Sequence, residues 1–506
     1  MHVITRRRWL IIPVLLLLVF AVHAAAYRFY AVDDAFISFR HAENWAAGYG
    51  PVFNPGQHVD GYTNFLWVVL LTLTSLAKID TFFIAHLMGL WFGMLSLAVA
   101  AWLARRNPSA GGTLALALTL ALLAFNPTYT RSMVEGLETA LFTFLMLATV
   151  ALAWVETRGA RPAFPWSGLA AGLLMLTRPD GLLFVPVIAV WAAWRFHRRG
   201  AGWPAILRWA AGFLGIGGLL AGGWFIWHYF YYGALLPNTY YAKTDVDLLT
   251  RLARGADSGL KLWNLSGGVL LTGVIVLGLV FFAADAEWWA LMLAVIAARV
   301  AFHLYSGGSV IGYLRFLTPA IPPLAALAAV SIAGIWQKRH AVRFLAPAPA
   351  AALLGALLVI QTGAPNIVRW YDISQQQMAG LTQGHIALGK HLAQIAPPGA
   401  SLAIQDAGAV PYYSKLPTID IVGLNDAHIA HLPGDLYQKT DVPYVLAHKP
   451  TYIVLVSNAA PNRKFVPAKW IDIQFYTNAA FQAQYRFRES FLAGDDYYLW
   501  VFERKS

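Results

Sequence analysis

No cysteine occurs in the 506-residue chain, and only 12% of its residues are charged. The first absence excludes disulfides, thiolate zinc sites, iron–sulfur clusters and cysteine nucleophiles. The second excludes an ordinary soluble protein, in which about a quarter of residues carry charge. It does not signal disorder, which requires low hydrophobicity. No Walker motif, Rossmann glycine fingerprint or His-Glu-x-x-His stretch is present, so a nucleotide-fuelled pump and a membrane zinc protease lack support. Internal repeats, heptads and low-complexity segments are missing too. What fills the sequence is apolar: 58% of residues are hydrophobic.

The net charge of +12 would fit a nucleic-acid binder, but its placement points elsewhere. Residues 366–506 hold 12 Lys+Arg against 11 Asp+Glu, whereas residues 1–365 hold 25 against 14. The excess lies in the apolar part, as in a membrane protein. About 20 apolar residues cross a bilayer. Eleven such segments are predicted, near 9–27, 82–104, 112–127, 137–155, 166–177, 182–194, 204–229, 262–283, 288–303, 316–336 and 343–361. Basic residues mark alternate ends: Arg6-Arg7-Arg8, Arg105-Arg106, Arg158 with Arg161, Arg195 with Arg198-Arg199, and Lys338-Arg339. The positive-inside rule places these ends and the N-terminus in the cytosol. Eleven of the 14 acids before residue 366, Asp245 among them, then fall outside. Residues 1–26 also read as a signal peptide, whose removal would leave the remaining orientation unchanged. Residues 64–79 are apolar but short for a span, and read as a helix in the outer interface.

From residue 366 the character changes. A polar helix (380–395) and a Pro-Pro-Gly break lead into short β-rich runs at 401–405, 418–422, 451–456 and 497–502. Alternating helices and strands predict a soluble α/β domain. The expected organisation is therefore an α-helical polytopic membrane domain (1–364) with a first external loop at 28–81 and a second at 128–137. A C-terminal α/β domain (365–506) follows on the outer face.

Candidate chemistry gathers in the loops placed outside. Asp33 and Asp34 stand directly after the first span. Mutual repulsion and burial raise such carboxyls toward the range of a base. Their alternative role is to start a helix, Asp33 as cap and Asp34 as first-turn acid. Asp34, Ser38 and His41 share one helical face. His58 and Asp60, in a turn-rich Gly/Pro/Asn stretch, are sugar or metal contacts, or His58 is a plain loop hydrogen-bonder. In the second loop Glu135 and Glu138 are predicted on one helical face, for chemistry or for the helix N-terminus. Arg131, Arg178, Lys243, Arg299 and Arg315 collect at the same side. A lipid phosphate suits them; snorkelling or pairing of an arginine with Asp180 or Glu138 is the plainer alternative. In the tail, Asp406-Ala-Gly408 and Asp420–Asp426 follow predicted strands, where α/β domains bind ligands or simply turn.

A span, an acidic pair, a loop with an interfacial helix and an acid-bearing second loop together resemble the GT-C glycosyltransferases, within them the actinobacterial terminal arabinofuranosyltransferases of cell-wall arabinan and their bacterial relatives. The stretches that carry the resemblance are Val32-Asp-Asp-Ala-Phe-Ile-Ser-Phe-Arg40, Asn54-Pro-Gly56 and Gly61-Tyr62-Thr-Asn64-Phe-Leu-Trp67, with weaker support from Gly136-Leu-Glu-Thr139, Arg178-Pro-Asp-Gly181 and Asp406-Ala-Gly408. The resemblance implies a multi-pass plasma-membrane enzyme moving a sugar, arabinofuranose in the nearest relatives, from a polyprenyl-phosphate donor to a cell-envelope glycan, with inversion, on the extracytoplasmic face. It makes Asp34, or Asp33, the base and Glu138 or Glu135 the second acid. It gives Arg315, Arg178, Arg299, Lys243 and Arg131 the donor phosphate, and His41, His58, Asp60, Tyr62, Asn64 and Asp406 the sugar or acceptor. Ser309 stands where the nearest relatives are expected to carry an acid. No cofactor is required; a divalent metal stays open, and no nucleic acid is involved. Rival readings are a transporter or flippase of a lipid-linked sugar, a polysaccharide-binding assembly protein, and a GT-C enzyme acting on protein or lipid A. A transporter is expected to show repeated halves with paired broken helices.

Overall fold

In the computed structural model, residues 2–243, 246–282, 285–308, 315–337 and 347–505 are described. Asp245, Ser309 and the Lys338-Arg339 pair lie outside the described residues. Among those described, seven helices are long and apolar enough to cross a membrane, or nine if each of two bent pairs is one span. The bent pairs are Thr113–Ala124 with Pro127–Met133 (72°) and Leu248–Leu265 with Gly268–Val280 (81°). Ile11–Ala25 and Trp166–Thr177 are shorter apolar helices. Counting these two, each of the eleven predicted segments contains a helix. The chain is a multi-pass membrane protein. Phe65–Leu76, at 12 residues, covers about 18 Å at 1.5 Å per residue, too short for a bilayer core.

In the second external loop Asn126 caps a short Pro127–Met133 helix by accepting from the Tyr129 amide. The stretch before the 262–283 segment is also helical, with Leu248–Leu265 bent sharply at Gly267 and Gly268. Both glycines have positive φ (100° and 47°), the left-handed backbone that lets a helix end and restart.

The chain forms two compact units. The first comprises Met1–Arg28, His86–Trp224 and Leu248–Asp372 and is helical. Small residues set its close packing. Gly168 lies against the Phe213 backbone and Gly172 against Leu220, while Gly278 faces Ser331.

The second unit comprises Phe29–Ala85, Phe225–Asp247 and Ile373–Ser506. Its centre is a five-stranded sheet of β1 (Leu402–Ile404), β2 (Thr418–Asp420), β3 (Tyr452–Ser457), β4 (Tyr485–Gly494) and β5 (Tyr497–Arg504), in the order β2-β1-β3-β5-β4. The first three strands are parallel; β5 runs antiparallel to β3 and β4. Period-two alternation splits the apolar residues between two faces. Leu402, Ile404, Val454 and Val456 pack with Leu388 and Leu392 on one side, and Ala403, Ile453 and Leu455 with Ile471 and Phe475 on the other. Four of the five strands coincide with predicted runs; β4 was not predicted.

The first loop is built into this unit. The Asp33–Ala46 helix carries Arg40, 4% exposed, whose guanidinium donates to Phe53 O (2.7 Å), Leu416 O (2.8 Å), Asn54 Oδ1 (3.1 Å) and Pro411 O. Asn54 in turn accepts from the Thr418 amide (3.1 Å) and donates to Thr418 O (2.8 Å). Two residues of the resemblance motifs therefore strap the loop to the edge strand β2.

Candidate active site

Asp33 and Asp34 are both half-buried at the start of the Asp33–Ala46 helix, whose N-cap is Val32 and not Asp33. Their surroundings differ. Asp33 accepts from the backbone N–H of Gly408 (3.0 Å) and of Ala409 (2.8 Å), one on each carboxylate oxygen. Burial pushes its carboxyl up to about 6, with His385 and the Ala409 amide pulling it down and Asp406 and Asp34 adding to the rise. The loop that holds Asp33 is the one after β1. There Asp406 accepts from Tyr497 Oη (2.8 Å) and from His385 Nε2 (3.0 Å), with Lys469 Nζ at 3.9 Å. Burial opposes the charge on Asp406, but Lys469, His385 and Tyr497 outweigh it and hold the carboxyl below the usual aspartate range.

The other first-loop candidates are mostly committed within this unit. His41 is fully buried; Nδ1–H donates to Ile37 O (2.9 Å) and Nε2 accepts from the Gly61 amide (3.4 Å). Burial lowers it to about 4, so it is neutral at pH 7. Asp60 accepts from His228 Nε2 (2.7 Å) and from the Asn238 amide (3.0 Å). The Tyr62 hydroxyl meets Tyr232 Oη (3.1 Å), and Asn64 pairs with Ser38 (3.1 Å). His58 is exposed, stacks on Tyr231 at 4.6 Å and hydrogen-bonds Tyr231 O at 2.9 Å, the plain loop role. Lys243 ends the short Asn238–Lys243 helix and is exposed.

In the first unit, Glu135 and Glu138 do not share a helical face. Residues 134–138 form a turn, with Gly136 at φ 85°, and the helix starts at Thr139. Glu138 pairs with Arg178 (2.7 Å), Arg178 with Asp180 (2.8 Å), and Asp180 with Arg299. Two acids and two arginines thus form a balanced buried chain, the pairing that makes an intramembrane arginine tolerable. Glu135 accepts from Thr139 Oγ1 (2.8 Å), and burial pushes it up to about 7 against the pull of Arg315. Arg131 lies over the Trp370 ring at 4.8 Å. Arg178, Arg299 and Arg315 line one small cavity together with Thr139, Phe142 and Phe316. Arg315 and Arg131 both pull the Glu135 carboxyl down against its burial. Among the described residues no group of three or more His, Asp or Glu side chains could hold a metal ion.

Sequence reasoning missed His385, Lys469, Tyr437 and Tyr497. None has a motif spacing; His385 is 21 residues and Tyr497 is 91 residues from Asp406.

Residues 369–502 match the family model "Domain of unknown function (DUF8728)". The chain is 27% identical over 233 residues to the terminal beta-(1->2)-arabinofuranosyltransferase of Mycobacterium tuberculosis, across 43% of this chain and 35% of that protein. The match thus spans about a third of that relative's length. Among solved structures, ArnT from Cupriavidus metallidurans bound to undecaprenyl phosphate superposes with a TM-score of 0.60 at 15% identity, covering 98% of both chains. The oligosaccharyltransferase AglB from Archaeoglobus fulgidus, in complex with an inhibitory peptide and a dolichol-phosphate, superposes at 0.55 and 14%, covering 87% of this chain and 69% of that one. In fold the chain is GT-C-like. The GT-C-like architecture extends over its whole length and includes the terminal sheet, the segment that the domain model matches.

Proposed function

We propose that this protein is an integral-membrane glycosyltransferase that moves a sugar from a polyprenyl-phosphate donor to a glycan acceptor on the extracytoplasmic face. The observation that carries the reading is the acidic pair at the start of the Asp33–Ala46 helix. Asp33 gives both carboxylate oxygens to the backbone amides of the turn after β1 and holds that turn; the role of base is assigned to its neighbour Asp34. Asp34 takes the proton of an acceptor hydroxyl, whose oxygen attacks the anomeric carbon from the side opposite the phosphate, inverting it. The leaving lipid phosphate takes up the bonding electrons and needs cations. Arginine suits a phosphate bidentately, and within the first unit Arg178, Arg299 and Arg315 line one cavity. A sugar linked through a phosphodiester is already activated, so a metal is not obligatory. Full-length likeness to a protein solved with undecaprenyl phosphate supports a lipid-linked donor, and the partial likeness to an arabinofuranosyltransferase favours arabinofuranose.

The test uses purified protein in lipid nanodiscs with radiolabelled polyprenyl-phosphate sugars, arabinofuranose included, and an oligosaccharide acceptor. Asp34→Asn is expected to bind donor as wild type does but to transfer at least ~100-fold more slowly, the usual scale for losing a general base. Asp33→Asn is expected to keep more activity than Asp34→Asn. Full transfer by Asp34→Asn, or no binding of any donor by wild type, overturns the assignment.

A further inference from the structure

The Leu248–Leu265 helix of the first unit has three faces, each with a different surrounding. The first is docked on protein. Gly255 and Leu262 are its buried residues. A Cβ on Gly255 would stand 2.8 Å from Leu304 Cα, and Ser258 Oγ hydrogen-bonds His303 Nε2 at 2.8 Å, so this face rests on the end of the Ala286–Tyr305 helix. The second face is apolar. Leu249, Leu252, Ala253, Ala256, Leu260 and Trp263 recur at i, i+3, i+4, i+7, i+11 and i+14, one stripe of a helix. All six are exposed, Leu249 by 78% and Leu260 by 57%. The third face is polar and exposed: Arg254, Asp257, Lys261 and Asn264, with Lys261 Nζ paired to Asp257 at 2.6 Å. A contiguous exposed apolar stripe marks a contact with membrane or with another protein.

Two features identify what covers it. The chain bends by 81° between this helix and Gly268–Val280, which is apolar and carries no charge. A helix set nearly at right angles to one that enters the bilayer lies along the bilayer surface. The polar stripe, two cations against one acid, also runs beside the apolar one. At the boundary of hydrocarbon and headgroups the apolar stripe meets acyl chains, while lysine and arginine reach phosphate and water. A single broken span would instead put Arg254, Asp257 and Lys261 into hydrocarbon, where charged side chains are costly.

We infer that Leu248–Leu265 is an in-plane anchor whose partner is the phospholipid headgroup region, with Leu249, Ala256, Leu260 and Trp263 among the upper acyl chains and Arg254 and Lys261 at the phosphates. Tryptophan is enriched at this depth. Through Gly255 and Ser258 the anchor also fixes the level of the last turn of the Ala286–Tyr305 helix, the helix that carries Arg299. This contact does not depend on the glycosyltransferase reading.

The chain has no cysteine of its own, so single thiols report without background. Leu249→Cys, Ala256→Cys and Leu260→Cys on the apolar stripe, and Asp257→Cys and Asn264→Cys on the polar one, are spin-labelled in the full chain. Each is reconstituted into vesicles of equal parts phosphatidylcholine and phosphatidylglycerol, and collisions with oxygen and with a water-soluble nickel chelate are measured. Labels on the apolar stripe are expected to favour oxygen and to sit about 5–10 Å into the headgroup–acyl boundary. Labels at 257 and 264 are expected to favour the chelate. A label on Tyr305→Cys, at the end of the docked helix, is expected at headgroup level. Equal chelate access on both stripes places the helix in water and overturns the anchor. Protection of the apolar stripe from both reagents shows that protein covers it, a second copy included, and overturns it too. Labels at 257 and 264 within hydrocarbon restore the broken span, and a Tyr305→Cys label near the bilayer centre removes the link to the Ala286–Tyr305 helix.

Discussion

Asp33 and Asp34 are chemically identical neighbours, and Asp33 accepts two amide hydrogens from residues 408 and 409. The carboxyl of Asp33 keeps its proton up to about pH 6, whereas an exposed aspartate loses it near 4. Between those values the folded chain holds a proton that the unfolded chain has released. The stabilising contribution of this residue therefore falls as pH rises from about 4 to about 6 and stays lost above that window. Asp33→Asn should remove that slope, measured as melting temperature against pH; an unaltered slope would assign it to another carboxyl. A second residue-scale expectation concerns the buried chain from Glu138 to Arg299. Arg178→Ala removes one ion-pair partner from Glu138 and one from Asp180. Breaking a buried pair costs about 3–5 kcal/mol, so a clear drop in melting temperature is expected, while Arg208→Ala, at an exposed position of the Trp203–Tyr232 helix, should barely move it.

At the scale of elements, the turn after β1 depends on the absence of a side chain. A Cβ on Gly408 would stand 2.1 Å from Asp33 O and 2.5 Å from its carboxylate carbon. The backbone there has φ −93°, so the obstacle is steric and not conformational. Gly408→Ala should push the turn off the Asp33–Ala46 helix, with transfer falling at least tenfold while the sheet melts near the wild-type temperature. Loss of the sheet itself would show that the turn belongs to the folding core. The sheet also shows where patterns go silent. Run 451–456 is almost continuously apolar because β3 is buried throughout, whereas β2 reads Thr-Ile-Asp and buries its Thr418 and Asp420. β4 reads Tyr-Arg-Phe-Arg-Glu-Ser-Phe-Leu-Ala-Gly, is fully buried only at Tyr485, pairs only with β5 and carries two register shifts, so its residues hold no clean alternation. The turn at 134–138 was read as helix because Glu135 and Glu138 have helical spacing. Gly136 at positive φ breaks that reading.

For the whole molecule, the absence of cysteine makes topology directly measurable, since any introduced thiol is the only one. Gln57, Asn462 and Arg161 are exposed positions. Charge bias predicts that Gln57→Cys and Asn462→Cys are labelled by a membrane-impermeant maleimide in intact cells, and that Arg161→Cys is labelled only after permeabilisation. The opposite pattern would invert the orientation and move the proposed reaction to the cytosolic face.

The number and rough placement of the apolar segments, the α/β character of the tail and the acidic pair beyond the first span were legible in the sequence. Each of these is written in contiguous residues, because hydropathy over about 20 residues and alternation over about five are local quantities. Partnership is not local. Asp33 meets Gly408 across 375 positions, Arg299 meets Asp180 across 119, and Arg40 reaches Leu416 across 376. Hydrogen bonds and ion pairs act over about 3 Å, and only the folded chain brings such residues within that distance. The composition of the site was therefore in the sequence, whereas what ties Asp33, which residues join the buried ion-pair chain and which loop meets β2 were decided by the tertiary structure.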